Sequence, residues 1–171
     1  QCSQLLQRID QISNPVIDAI FYFLVPPQKF VNRESYRMAR ELIIKNQATL
    51  EPYIQMFLNH GISESELPEC NLITERSIFS VVVELHEFAP EVIYPVFGTI
   101  VTKLKSEEVA IRKEIVKLLG LLFGSQRSRL AEDIPELWNA YMARFNDVNE
   151  DVRIVCVSLS LNILIYHPEL R

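Results

Sequence analysis

The chain has 171 residues, 49% of them hydrophobic and 23% charged, with a formal charge of −5. That composition excludes a disordered tail and suits one ordinary domain or a few small repeats. The acidic balance argues against a dominant nucleic-acid-binding role, and three widely spaced cysteines (Cys2, Cys70, Cys156) frame neither a disulfide scaffold nor a zinc site. Such cysteine usage points to a reducing, intracellular compartment. No apolar run approaches the roughly 18 residues that a membrane span needs. The start lacks an initiator Met and the basic-then-apolar order of a signal peptide. The sequence is therefore expected to be a fragment of a longer protein.

Only four glycines occur, and most of the nine prolines fall at the edges of apolar-periodic segments. In chain order, Gln1 to Ile12 reads as the last helix of a preceding unit. Asn14 is placed to cap a helix running from Pro15 to Val25. A second helix covers "NRESYRMARELIIKNQ", where Tyr36, Ala39, Leu42 and Ile43 share a face. A third, "LEPYIQMFLNH", groups Ile54, Phe57 and Leu58 and ends at His60 and Gly61. The polar, acidic stretch from Gly61 to Leu72 reads as a loop, with Ser63 and Ser65 as phosphate acceptors in its sharper reading. Thr74 then caps "TERSIFSVVVELHEF". "EVIYPVFGTIVTKLK" is interrupted by Pro95, and "SEEVAIRKEIVKLLGLLFG" starts at Ser106 as cap and stops at Gly124. "IPELWNAYMARFND" and "NEDVRIVCVSLSLNILIYH" close the series. Alternation at Val157, Leu159, Leu161 and Ile163 is a strand pattern taken alone.

A repeat overrides that local reading. Arg112 and Arg153 lie 41 positions apart, and the same offset aligns Phe97 with Trp138, Leu104 with Phe145, Ile115 with Cys156 and Leu122 with Ile163. Two helices per unit at a period near 40 is the pattern of HEAT or armadillo arrays. A lone hairpin cannot bury its apolar face, whereas stacked hairpins share a continuous core. The expected fold is all-α: a HEAT-repeat α-solenoid of about four stacked helical hairpins plus a partial preceding unit. The approximate hairpins are 14–47, 50–88, 91–123 and 134–167 within a single segment, 1–171.

Chemistry is sparse against that background. Asp147, Asn149 and Asp151 alternate like the start of a calcium loop, but Val152 and Ser158 stand where glycine and glutamate are needed. The acidic turn is better read as a helix cap. Arg112, Asp147 and Arg153 form the expected structural ladder, bonding loop carbonyls or carboxylates of neighbouring repeats. His60, His86 and His167 show no metal spacing, and Cys156 reads as a core residue. No enzyme, metal or cofactor is expected. Basic residues gather near one corner, with Glu107, Glu108 and Glu114 able to balance them. The candidate partner-binding residues are Lys29, Asn32, Lys103, Lys105, Lys113, Arg144 and Asn146.

A run of ordered motifs adds to this reading. "FLVPPQK", "NRESYRMARELI", "LEPYIQMF", "VKLLGLLFG", "LWNAYMARFNDVNEDVR" and "HPEL" span about Val16 to Leu170. Together they resemble the Pds-five family of cohesin-associated sister-chromatid cohesion HEAT proteins. The resemblance implies a nuclear, chromatin-associated, non-catalytic scaffold that regulates cohesin. Its implied partners are the cohesin kleisin subunit and the Wapl-type release factor, with chromatin reached indirectly, no membrane, and no direct sequence-specific nucleic-acid binding. The family's Ala-Pro-Asp/Glu-Ala-Pro-Tyr docking motif is absent from this chain. The fold alone also allows a HEAT-repeat adaptor in transport or trafficking that binds peptide segments.

Overall fold

The computed structural model describes residues 15–64 and 72–170, and all regular structure among them is helical. The chain divides into two compact units, Gln1–Val96 and Phe97–Arg171. Gln1 to Ile12, the Asn14 cap and Ser65 lie outside the described residues.

In the first unit, α1 covers residues 15–24. It is followed by α2 (Gln28–Val31), α3 (Arg33–Lys45), α4 (Gln47–Glu64), α5 (Leu72–Phe88) and α6 (Pro90–Ile93), and by a 3-10 turn at Tyr94–Val96. Ile17, Ile20, Phe21 and Leu24 recur at helical spacing and are buried. Phe21 meets Phe57 of α4 edge-on at 5.1 Å. Ala39 and Ile43 of α3, Ile54, Leu58 and Ile62 of α4, and Ile78, Val81, Val82 and Leu85 of α5 complete the core. Leu42 departs from its expected place and is 43% exposed. It sits at the margin of the α3 stripe, where Ala39 and Ile43 already fill the buried side.

Two helix ends also differ from expectation. α4 begins at Gln47, carries Pro52 inside it, and runs through Gly61 to Glu64. Residues 61–64 are thus helical, and His60 is not at a helix end. A Cβ at Gly61 would overlap the Ile78 side chain, so this glycine serves the close approach of α4 and α5. α5 begins at Leu72, which places Thr74 inside the helix.

In the second unit, α7 (Phe97–Lys103), α8 (Val109–Phe123), α9 (Leu130–Asp133), α10 (Pro135–Met142) and α11 (Glu150–Tyr166) are joined by 3-10 turns at Ala143–Asn146 and Pro168–Leu170. α8 is buried along Ile111, Ile115, Val116, Leu119, Leu122 and Phe123. α11 packs on it through Val152, Cys156 and Ile163, so the alternating stretch is helical. Phe123 lies 4.9 Å from the Trp138 ring and 5.3 Å from the Tyr141 ring, centre to centre, which ties α10 to α8. Phe145 is only half-buried and meets Tyr141 edge-on.

Gly124 ends α8 with φ of −81°, so its left-handed freedom is not what the position uses. A Cβ there would crowd the Gly120 carbonyl at 2.9 Å and Asn162 at 3.3 Å. His167 closes α11 and is buried; its Nε2 lies 2.8 Å from the Ser125 carbonyl and its Nδ1 3.1 Å from Glu169.

Candidate functional site

The densest polar geometry is a corner of the second unit, where the turn before α8 lies beside the turn before α11. Asp147 is its hub, with a side chain only 1% exposed. Arg112 grips it with two parallel bonds, Nε to Oδ2 at 3.0 Å and Nη2 to Oδ1 at 2.9 Å. Arg144 adds Nη1 to Oδ2 at 3.0 Å, and the Asn149 amide donates to Oδ1 at 2.9 Å. The bidentate bonds from Arg112, reinforced by the Asn149 amide, hold the Asp147 carboxyl down at about 2. The same pairing raises the Arg112 pKa.

Both ladder arginines also clasp backbone. Arg112 Nη1 donates to the carbonyls of Ser106 (2.8 Å) and Glu107 (2.9 Å). Arg153 Nη1 donates to those of Asp147 (2.6 Å) and Val148 (3.3 Å), each acceptor 41 positions later. Asn149 caps α11 by accepting from the Asp151 amide at 2.9 Å. The matching cap at α8 is displaced: Glu108 holds the cap position without a side-chain bond. Ser106 Oγ accepts from the Glu108 amide at 3.2 Å instead, two residues too early to cap.

An open cavity of about 530 Å³ lies at this corner, lined by Ser106, Val109, Arg144, Asn146, Val148 and Asn149, among others. Arg144 is fixed at its mouth by Nη1, which also donates to the Leu104 carbonyl at 3.2 Å. Its Nε is buried and has no hydrogen-bond partner among the described residues. Asn146 is exposed, and Val148 is 94% exposed at the rim.

The other candidate residues scatter. Lys103 is buried, 9% exposed, and is removed from the accessible set; it lies on the α7 face that carries Ile100 and Leu104 into the core. Lys105 is exposed. Lys113 reaches Asp151 at 3.3 Å, Lys117 pairs with Glu114, and Arg129 pairs with Glu132. Lys29 and Asn32 belong to the first unit. Asn32 donates to the Gln28 side chain. Lys29 is held by Glu84 at 2.5 Å, and the Tyr36 hydroxyl donates to the same carboxylate at 2.5 Å. Burial, then the Glu84 bond, raises the Tyr36 pKa. Sequence reasoning missed Glu84. Its signal was a carboxylate on the face of Val81 and Leu85, where only a paired charge is tolerated.

Burial, with the nearby Asp147 charge, raises the Cys156 thiol to about 11, so it is a poor nucleophile at neutral pH. Among the described residues no group of three His, Cys, Asp or Glu could hold a metal ion, and no helix is long and apolar enough to cross a membrane.

The model of the sister chromatid cohesion protein PDS5 family matches residues 2–171. The chain belongs to the PDS5 family. Curated PDS5 relatives include sister chromatid cohesion protein PDS5 homolog B-A of Xenopus laevis, 32% identical over 168 residues, 98% of this chain and 12% of the relative. The Homo sapiens PDS5 homolog B is 30% identical over 168 residues, with the same coverage of each chain. This segment thus spans about an eighth of the PDS5 relatives it matches. A solved structure reported as "Structure of the Pds5-Scc1 complex and implications for cohesin function" superposes with a TM-score of 0.74 at 20% identity. That match covers 90% of this chain and 25% of that one. The all-α HEAT-repeat solenoid class is therefore shared with a PDS5 structure.

Proposed function

We propose that this chain is part of a non-catalytic cohesin regulatory scaffold in the nucleus, associated with chromatin and controlling sister chromatid cohesion. The observation that carries the reading is the PDS5 family match over residues 2–171. The fold alone does not separate it from a transport adaptor. Within this reading the chain contributes helical surface to the capture of cohesin's kleisin subunit and of Wapl-type release and maintenance factors. The four approximate hairpins are its proposed repeat units. The corner of the second unit is its best contact point. Arg144 is preorganised by two acceptors on Nη1, beside exposed Asn146 and Lys105. Its side chain keeps part of its surface exposed, and that positive charge suits a carboxylate of a partner segment. Lys113 and, on the first unit, Lys29 and Asn32 extend the set more weakly, since each already has a partner.

In its natural full-length context the protein is expected to retain the kleisin subunit in a pull-down. No enrichment over bare beads, where a PDS5 relative is retained, overturns the assignment. Arg144→Ala with Asn146→Ala should lower retention several-fold at unchanged helicity, by circular dichroism. Unchanged retention removes the corner from the contact.

A further inference from the structure

Ser106 and Asp147 hold the same place in two successive turns, 41 positions apart. The main-chain carbonyl of each accepts from Nη1 of the arginine six residues on, Arg112 at 2.8 Å and Arg153 at 2.6 Å. The side chain of each accepts from the amide two residues on, Ser106 Oγ from Glu108 at 3.2 Å and Asp147 Oδ1 from Asn149 at 2.9 Å. One turn carries a carboxylate at this place and the other a hydroxyl. The carboxylate shows that the turn geometry tolerates an anion there.

The surroundings of Ser106 favour one. Arg144 Nη1 donates to the carbonyl of Leu104, two residues before Ser106, and the Arg144 side chain is 25% exposed. Arg144, Asn146 and Asn149 line the same open cavity of about 530 Å³ as Ser106. Lys105 adjoins the serine and is exposed. Ser106 also stands at the start of α8, whose cap residue Glu108 makes no side-chain bond, whereas Asn149 caps α11. Uncapped amides at the positive end of a helix suit a phosphate. Asp147 opposes these groups from the cavity wall, but it is buried and takes the paired bonds of Arg112. Glu107 and Glu108 are exposed, where water and salt screen their repulsion.

We propose that Ser106 is a phosphorylation site and that its phosphate is held in cis by Arg144 within the corner cavity. The phosphoryl donor is ATP, and the catalyst is a protein serine kinase that accepts glutamates directly after the acceptor, where Glu107 and Glu108 stand. The Ser106 oxygen attacks the γ-phosphorus, the bond from that phosphorus to the β–γ bridging oxygen breaks, and ADP leaves. The hydroxyl proton passes to the base of the kinase. Residues 104–108 connect α7 to α8, and the half-buried serine is flanked there by exposed Lys105, Glu107 and Glu108. The consequence rests on the contact proposed above. A phosphate on Ser106 takes up the Arg144 charge that an acidic partner segment uses, so modification weakens that partner.

Three measurements test this. The tryptic peptide Ser106–Arg112 of the full-length protein, isolated from growing cells under phosphatase inhibition, is expected to carry phosphate on Ser106. Recovery of that peptide only in unmodified form overturns the assignment. The pocket is tested with Ser106→phosphoserine, introduced by genetic code expansion. Its phosphorus-31 resonance should titrate at least about half a unit below the ordinary second pKa near 6, and Arg144→Ala should return it to that value. An ordinary titration, or one that Arg144→Ala leaves unmoved, overturns binding in cis. Retention of the kleisin subunit should fall several-fold in Ser106→phosphoserine protein relative to the unmodified protein, and equal retention overturns the regulatory consequence. If neither form retains the kleisin, the partner reading fails, while the peptide and the titration still decide the site and its pocket.

Discussion

Asp147 concentrates more interaction than any other single residue of the second unit. Its carboxylate takes four donors, and its main-chain carbonyl takes a fifth from Arg153. Removing one member of a buried ion pair strands the other, which costs on the order of 3 kcal/mol or more. Asp147→Asn is therefore expected to destabilise the fold by about that amount, read as a lower urea midpoint at pH 7, because Arg112 stays buried with its charge unmatched. The pH dependence has a definite sign. The folded carboxyl titrates near 2, below its ordinary 3.8, so the unfolded chain binds more protons between those values. The stabilisation is complete above the ordinary value and is lost as pH falls through about 2. Urea midpoints measured from pH 5 down to 2 should drop for the wild type below pH 4. The part of that drop owed to Asp147 should be missing in Asp147→Asn. A wild type and variant with parallel profiles would remove Asp147 as the acid-sensitive group. The arginines of this corner were readable from a 41-residue spacing. The displaced cap was not. Arg112 draws the Ser106 and Glu107 carbonyls inward, and the helix starts later than the serine signal implies. Nor was Lys103 readable, because burying a lysine stem depends on the face a short helix turns inward.

At the scale of helices, three glycines with the same local code behave differently. Gly98 lies near the start of α7 with nothing within 4 Å of a Cβ. Gly98→Ala should stabilise, by up to about 0.5–1 kcal/mol, through the lower entropy of the unfolded chain. Gly120 lies in the last turn of α8, and a Cβ there meets Leu159 Cβ at 2.9 Å, close to the backbone, where rotation gives little relief. Gly120→Ala should destabilise by about 1–3 kcal/mol despite better helix propensity. Gly61→Ala falls between, because the obstructing atom is the mobile end of Ile78. Thermal midpoints in that order, Gly98→Ala above wild type and Gly120→Ala lowest, check the packing of α8 on α11. Hydrophobic period located these helices, since α8 and α11 each bury a stripe. It did not locate their ends: the glycine at 61 looked like a stop, and its reason is a neighbour distant in sequence. The alternating residues from Val157 to Ile163 show the same limit from the other side. Local alternation reads as strand, and the repeat, not the window, assigns the helix.

For the chain as a whole, family was legible because side chains specific to PDS5 recur in order from Val16 to Leu170. The partner site was less so, because recognition depends on which charges remain free after folding. Several of the basic side chains are neutralised locally. Lys29 pairs with Glu84, Arg112 with Asp147, Lys113 with Asp151, Lys117 with Glu114 and Arg129 with Glu132. With a net charge of −5, neither unit offers, among the described residues, the run of free cations that displaces counterions from a phosphate backbone. Binding to duplex DNA at physiological salt should therefore be negligible. In fluorescence anisotropy, a labelled duplex should show no rise with the chain present at tens of micromolar. Lowering the salt should bring only weak, sequence-independent association, because exposed pairs such as Lys113–Asp151 resist opening less than the buried Arg112–Asp147 pair. Micromolar binding that persists at physiological salt would mean that these pairs open toward the ligand. The charge-based argument against direct nucleic-acid recognition would then fail.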